Sequence, residues 1–120
     1  MESLKLIKTN PPRFFKVGIN QQITIKDSAK IKLDSNEQVT FITKESNEFD
    51  IVSKEWGFYA TPSINERLKN NNFKTALVKN SFNKYYVMIV DINHMDSFNS
   101  YLIEEKQIVI EWLDGKYFFR

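Results

Sequence analysis

Between Phe15 and Ile51 the apolar residues recur at every second position: Phe15, Val17 and Ile19, then Ile23 and Ile25, Ile31 and Leu33, Val39 and Phe41, Phe49 and Ile51. A period of two gathers these side chains on one face of an extended chain and leaves the other face to water, which is the pattern of half-buried strands. Short polar clusters separate them: Asn20-Gln21, Asp27-Ser28-Ala29, Asp34-Ser35-Asn36-Glu37 and Glu45-Ser46-Asn47-Glu48. Such clusters close hairpins, so residues 13–53 are expected to form an antiparallel β-meander. Its wet face should carry Thr24, Lys26, Lys30, Lys32 and Thr40. In front of it, Thr9-Asn10-Pro11-Pro12 lacks two backbone donors and favours extended chain, so residues 1–12 read as an N-terminal arm.

The period changes at Trp56. Thr61-Pro62 fits an N-cap followed by proline at the first helical position, and Ser63 with Glu66 fits a capping box two residues later. A short helix should follow, burying Ile64 and Leu68 and ending in Asn70-Asn71-Asn72. A second hairpin is expected from Lys74–Lys79 and Lys84–Val90 across Asn80-Ser81-Phe82-Asn83. Both faces of its second strand, Tyr86, Met88 and Val90 on one and Tyr85, Val87 and Ile89 on the other, read as covered. Met95, Phe98 and Leu102 then recur at helical spacing behind a cap at Asp91 or Asn93, and Gln107–Leu113 returns as a strand. From Phe49 onward the order is strand, helix, strand, strand, helix, strand, the split βαβ order of ferredoxin-like folds. The expected fold class is therefore α+β: a β-meander followed by a βαββαβ half over 54–120 with two short helices, all in one domain of 120 residues.

Composition removes several functions. With no cysteine there is neither a disulfide framework nor a thiolate metal site. The three glycines, Gly18, Gly57 and Gly115, supply neither a P-loop nor a dinucleotide fingerprint. A single histidine, His94, rules out a histidine-pair site. Asp91, Asn93 and Asp96 offer oxygen ligands but match no calcium-loop pattern, so no metal and no cofactor are expected. Seventeen basic and 15 acidic residues are scattered without a contiguous basic run, which argues against nucleic acid unless folding gathers a patch. No apolar run approaches the roughly 18–20 residues of a spanning helix, and the first residues lack a signal-peptide pattern, so no membrane insertion and a cytoplasmic location are expected.

The segment Trp56-Gly57-Phe58-Tyr59-Ala60-Thr61-Pro62-Ser63 leads into Asn65 and Arg67. Read conservatively, it is a buried aromatic anchor with ordinary helix capping. Read functionally, Trp56, Tyr59, Thr61, Ser63, Asn65 and Arg67 form a ligand site suited to a phosphate, carboxylate or sugar hydroxyl, with His94 as an additional candidate. His94 on its own reads as an exposed loop residue. No catalytic residue is identified. Asn36-Glu37-Gln38-Val39-Thr40-Phe41, the Trp56–Leu68 segment and Lys84–Val90 together resemble small uncharacterised bacterial proteins encoded among surface-polysaccharide and glycan biosynthesis genes. The resemblance spans most of residues 15–113 and implies a pathway without implying catalytic residues. The expected function is a non-catalytic accessory or binding protein beside enzymes of surface-polysaccharide biosynthesis, self-associating or bound to a protein through apolar surface such as Tyr117, Phe118 and Phe119. The expected small-molecule ligand is a phosphorylated sugar or sugar-nucleotide, and two alternatives are a small enzyme acting on a sugar or sugar-nucleotide, and an RNA-binding module using the sheet or a basic patch of Lys26, Lys30, Lys32 and the later lysines.

Overall fold

The structure, a computed structural model, describes residues 4–61 and 72–113. The described residues are mostly β, with one short α-helix and three small antiparallel sheets among them, an α+β arrangement dominated by strands. The described chain divides into two compact units. One is built from residues 4–39 and 51–59, the other from residues 40–50, 60–61 and 72–113.

In the first unit, β1 (Lys5–Val17) and β2 (Ile23–Lys32) form a two-stranded antiparallel ribbon. Lys5–Lys8, within the segment expected to be an arm, pair with Ala29–Lys32, and the register shifts between Lys8 and Arg13, where the prolines lie. That placement suits a residue without a backbone donor, because a bulge in a two-stranded ribbon asks less of the ladder than a central strand does. Asp27-Ser28-Ala29, expected as a turn, lies inside β2. Cross-strand charge explains this: Asp27 sits opposite Arg13, whose Nη2 is 3.3 Å from the carboxylate Oδ2, so the acid is satisfied within the ladder. Arg13 also lies 4.7 Å above the Phe15 ring.

The three-stranded sheet runs β3 (Gln38–Ile42), β4 (Glu48–Lys54), β5 (Gly57–Thr61), with β4 in the middle. The polar clusters turn the chain into β3 and from β3 to β4 as their chemistry predicts. Glu37 accepts from the backbone N–H of Asp34 at 2.6 Å, and Thr43 Oγ1 accepts from that of Asn47 at 3.1 Å. Asn36 and Ser46 take the left-handed conformation at φ 69° and 70°. The strand β5 occupies residues expected to lead into a helix. That helix, over 64–69, lies outside the described residues, as do Asp114-Gly115 and Tyr117–Phe119.

In the second unit, β6 (Phe73–Lys79) is the centre of a sheet ordered β7–β6–β8, with β7 (Tyr85–Asp91) and β8 (Ile108–Trp112) both antiparallel to it. This corrects the ferredoxin-like expectation, in which the first strand of that hairpin would lie at an edge. The reason is burial: Phe73, Thr75, Ala76 and Val78 are buried, so β6 needs cover on both sides and takes the middle. The strands β7 and β8 are the two edges. Tyr85, Tyr86 and Val87 are all exposed, contrary to the expectation that both faces were covered.

The helix α1 (Met95–Glu104) follows a 3₁₀ turn at Ile92–His94, and its half-buried residues Met95, Phe98 and Leu102 are those expected from helical spacing. Phe98 meets Trp112 edge to face at 5.9 Å, and Lys74 Nζ lies 4.4 Å over the same indole. The helix ends with Lys106 at φ 55° and a backbone bond from Gln107 N–H to Leu102 O, the Schellman pattern. Among the described residues no helix is long and apolar enough to cross a membrane.

Candidate functional site

The two-residue turn between β4 and β5 places Glu55 and Trp56 at a hairpin tip, and β5 then carries Gly57, Phe58 and Tyr59. Alternation along β5 sends Tyr59 to the face opposite Phe58. Trp56 stacks with Tyr59, their ring centroids 6.2 Å apart and their planes inclined by 19°. Trp56 is 71% exposed, Phe58 66% and Tyr59 44%, which overturns the reading of this segment as a buried aromatic anchor. Large aromatic rings held together in water, each with area still open, form an apolar platform that only a ligand or partner would desolvate.

Gly57 sets the geometry of this turn. Its φ is 140°, a conformation costly for any residue with a Cβ, while a Cβ built there would meet nothing within 4 Å. Glycine is therefore needed for backbone conformation and not to relieve crowding. Gly57→Ala is expected to destabilise the hairpin by about 1–3 kcal/mol and to loosen the Trp56–Tyr59 stack. Urea denaturation followed by far-UV dichroism checks the first effect. Acrylamide quenching of Trp56 checks the second.

Of the other residues expected at this site, Thr61 closes β5 and is half-buried, and Ser63, Asn65 and Arg67 lie outside the described residues. His94 belongs to the other compact unit, at the end of the 3₁₀ turn. There Asp91 is the cap, its Oδ1 accepting from Asn93 N–H and its Oδ2 from Asn47 Nδ2, each at 2.9 Å. His94 Nε2 lies 3.6 Å from Glu45 Oε2, an ion pair when the imidazole is protonated. Glu45 is a partner that sequence reasoning missed. Nothing in the polar turn Glu45–Glu48 signals that the chain returns it to a histidine 49 positions later.

Donor atoms of Glu45, Asp91 and His94 lie within 4.8 Å of one another. One imidazole and two carboxylates suit a divalent cation such as zinc in ligand type. Both Asp91 oxygens already accept bonds, however, and Glu45 and His94 are more than half exposed, at 58% and 53% of their side chains. The same set is fully accounted for by a helix cap beside a surface ion pair. A shallow cleft borders His94, lined by Met88, Ile89, Ser97, Phe98 and Tyr101. What this corner can do chemically is hold an imidazole next to a carboxylate at the rim of an aromatic-walled recess, the elements of proton transfer.

No protein-family model, curated protein or solved structure matches this chain.

Proposed function

We propose that this protein is a non-catalytic binding protein whose ligand surface is the Trp56–Tyr59 platform and whose ligand is a sugar, free, phosphorylated or nucleotide-linked. The observation that carries this reading is the exposed, near-parallel ring pair at the tip of the β4–β5 turn. The flat apolar faces of a sugar ring suit such a platform, and the polar residues Thr61, Ser63, Asn65 and Arg67 that follow it in sequence suit hydroxyls or a phosphate. On this reading the protein acts in the cytoplasm beside enzymes of bacterial surface-polysaccharide biosynthesis, the pathway implied by the resemblance of its sequence. Exposed apolar residues on the second unit, Phe82, Tyr85, Tyr86 and Val87, suit self-association or an enzyme partner. A thermal-shift screen against sugar phosphates, sugar-nucleotides and neutral oligosaccharides tests the ligand class. A shift that disappears in both Trp56→Ala and Arg67→Ala supports the reading, and no shift in any class removes it.

The His94–Glu45 pair favours one second reading, a small enzyme acting on the same ligand class with His94 as the acid-base group. His94→Ala would then lower turnover by about 100-fold or more, measured on any sugar the screen identifies. Turnover unchanged in His94→Ala, or no turnover in the wild type, eliminates it.

A further inference from the structure

Folding brings Lys5 and Lys16 onto the wet face where alternation alone already places Lys26, Lys30 and Lys32. Residues 5–32 hold seven basic residues and one acid, a net +6, while the rest of the chain holds ten basic and fourteen acidic residues, a net −4. The pairs Lys5↔Lys32, Ile7↔Lys30, Phe14↔Lys26 and Lys16↔Thr24 set these side chains on one face of the ribbon, since opposed residues of a ladder share a face. Five lysines therefore line a single face, and every one of them is exposed. The single acid of the ribbon, Asp27, falls on the opposite face by ladder alternation and is bound to Arg13, and at the register shift the pair borders one recess with Ile7 and Lys30. That opposite face carries the apolar pairs Leu6↔Ile31, Phe15↔Ile25 and Val17↔Ile23.

Two large apolar side chains stand among the lysines, Ile7 at 51% and Phe14 at 60% exposure. The opposite face leaves apolar side chains open as well, Leu6 at 58% and Ile25 and Ile31 at 40% each, so the lysines are what distinguish this face. We propose that this lysine face docks peripherally on an anionic lipid bilayer, the lysines reaching the headgroups while Phe14 and Ile7 enter the acyl boundary. Charge complementarity identifies the occupant: a cationic, acid-free face seeks an extended negative surface, and a bilayer is the one that also takes up an aliphatic and an aromatic side chain. Lysine stems also allow the ammonium groups to stay at headgroup level while the ribbon settles. Nucleic acid fits less well. The face has no arginine for bidentate phosphate or guanine contacts and no asparagine or glutamine to read adenine, and Ile7 has no role there.

The test is co-sedimentation of the full chain with phosphatidylcholine vesicles, either pure or containing about one-third phosphatidylglycerol. Binding is expected only to the anionic vesicles and should weaken as salt is raised. Each lysine neutralised on this face should cost about 5-fold in partitioning, so Lys26→Gln with Lys30→Gln should cost about 25-fold. Lys8→Gln, on the opposite face of the same ribbon, should cost less than about 2-fold. Phe14→Ala should weaken it several-fold and to the same extent at high salt, because that contribution is apolar. The wild-type salt dependence needs no variant to fold. No partitioning at low salt, equal binding to neutral vesicles, or tighter binding to a single-stranded oligonucleotide than to anionic vesicles would each overturn the proposal.

Discussion

Val78→Asp is expected to abolish the folded state of the β6–β7–β8 sheet. Val78 is fully buried on the central strand, opposite Tyr86 on one side and Val109 on the other, with Ala76, also fully buried, two residues away. An aspartate there must either bury a carboxylate, at several kcal/mol even after relaxation, or take up a proton and still leave polar atoms among hydrocarbon. Stability of domains of this size is about 5–15 kcal/mol in total, so a penalty of that order consumes most of it. Val78→Ala removes two methyl groups and leaves a small cavity, for a loss of about 2 kcal/mol. Ile103→Lys makes the contrasting control: Ile103 is 78% exposed in the last turn of α1, where a cation suits the helix end, and the substitution should stay within about 0.5 kcal/mol of wild type. Urea titration with near-UV dichroism of Trp112 as the probe separates the three, because that indole is held against Phe98 and Lys74 within the same unit. A cooperative, wild-type-like transition in Val78→Asp would mean that the core lies elsewhere.

The second large effect concerns the platform. Truncating Trp56 to alanine should cost about 2 kcal/mol or more of ligand binding, roughly 30-fold in Kd, as is usual for a tryptophan at the centre of a contact surface. It should leave stability nearly unchanged, since a ring 71% exposed contributes little to any core. That separation is diagnostic: a buried anchor would lose stability, whereas a platform loses affinity. Tyr59→Ala should reduce binding by a smaller factor, because its ring supports Trp56 and is itself only partly open at 44%.

How much of this was legible in the sequence follows from the range of the interactions involved. Period-two alternation located β3 and β4, apolar runs bounded by polar turns located β6, β7 and β8, and the spacing of Met95, Phe98 and Leu102 located α1, because these signals are local. The strand β5 escaped notice because Gly57-Phe58-Tyr59-Ala60-Thr61 has no apolar-polar alternation, and the Thr-Pro-Ser that follows reads as a helix start. Continuity of β2 through Asp27-Ser28-Ala29 depends on Arg13, a cross-strand partner that local composition does not disclose. Element order suggested a split βαβ unit but could not fix which strand is central. Phe73, Thr75, Ala76 and Val78, buried on both faces of β6, decide that. The aromatic cluster at Trp56 was visible in sequence, while its exposure and stacking were not. The Glu45–His94 pair exists only once the chain has folded, since it joins residues distant in sequence, whereas alternation already placed Lys26, Lys30 and Lys32 on one wet face and only their pairing beside Lys5 and Lys16 awaited the fold.

The most direct measurement is fluorescence titration of a Trp112→Phe variant, in which Trp56 is the sole tryptophan, with sugar phosphates, sugar-nucleotides and oligosaccharides. Phenylalanine preserves an aromatic ring against Phe98, so the fold should persist and the emission should report the platform alone. The binding account predicts a saturable change in Trp56 emission and protection from acrylamide with at least one of these ligands. Emission that stays unchanged across all of them, in a variant shown by dichroism to be folded, would contradict it.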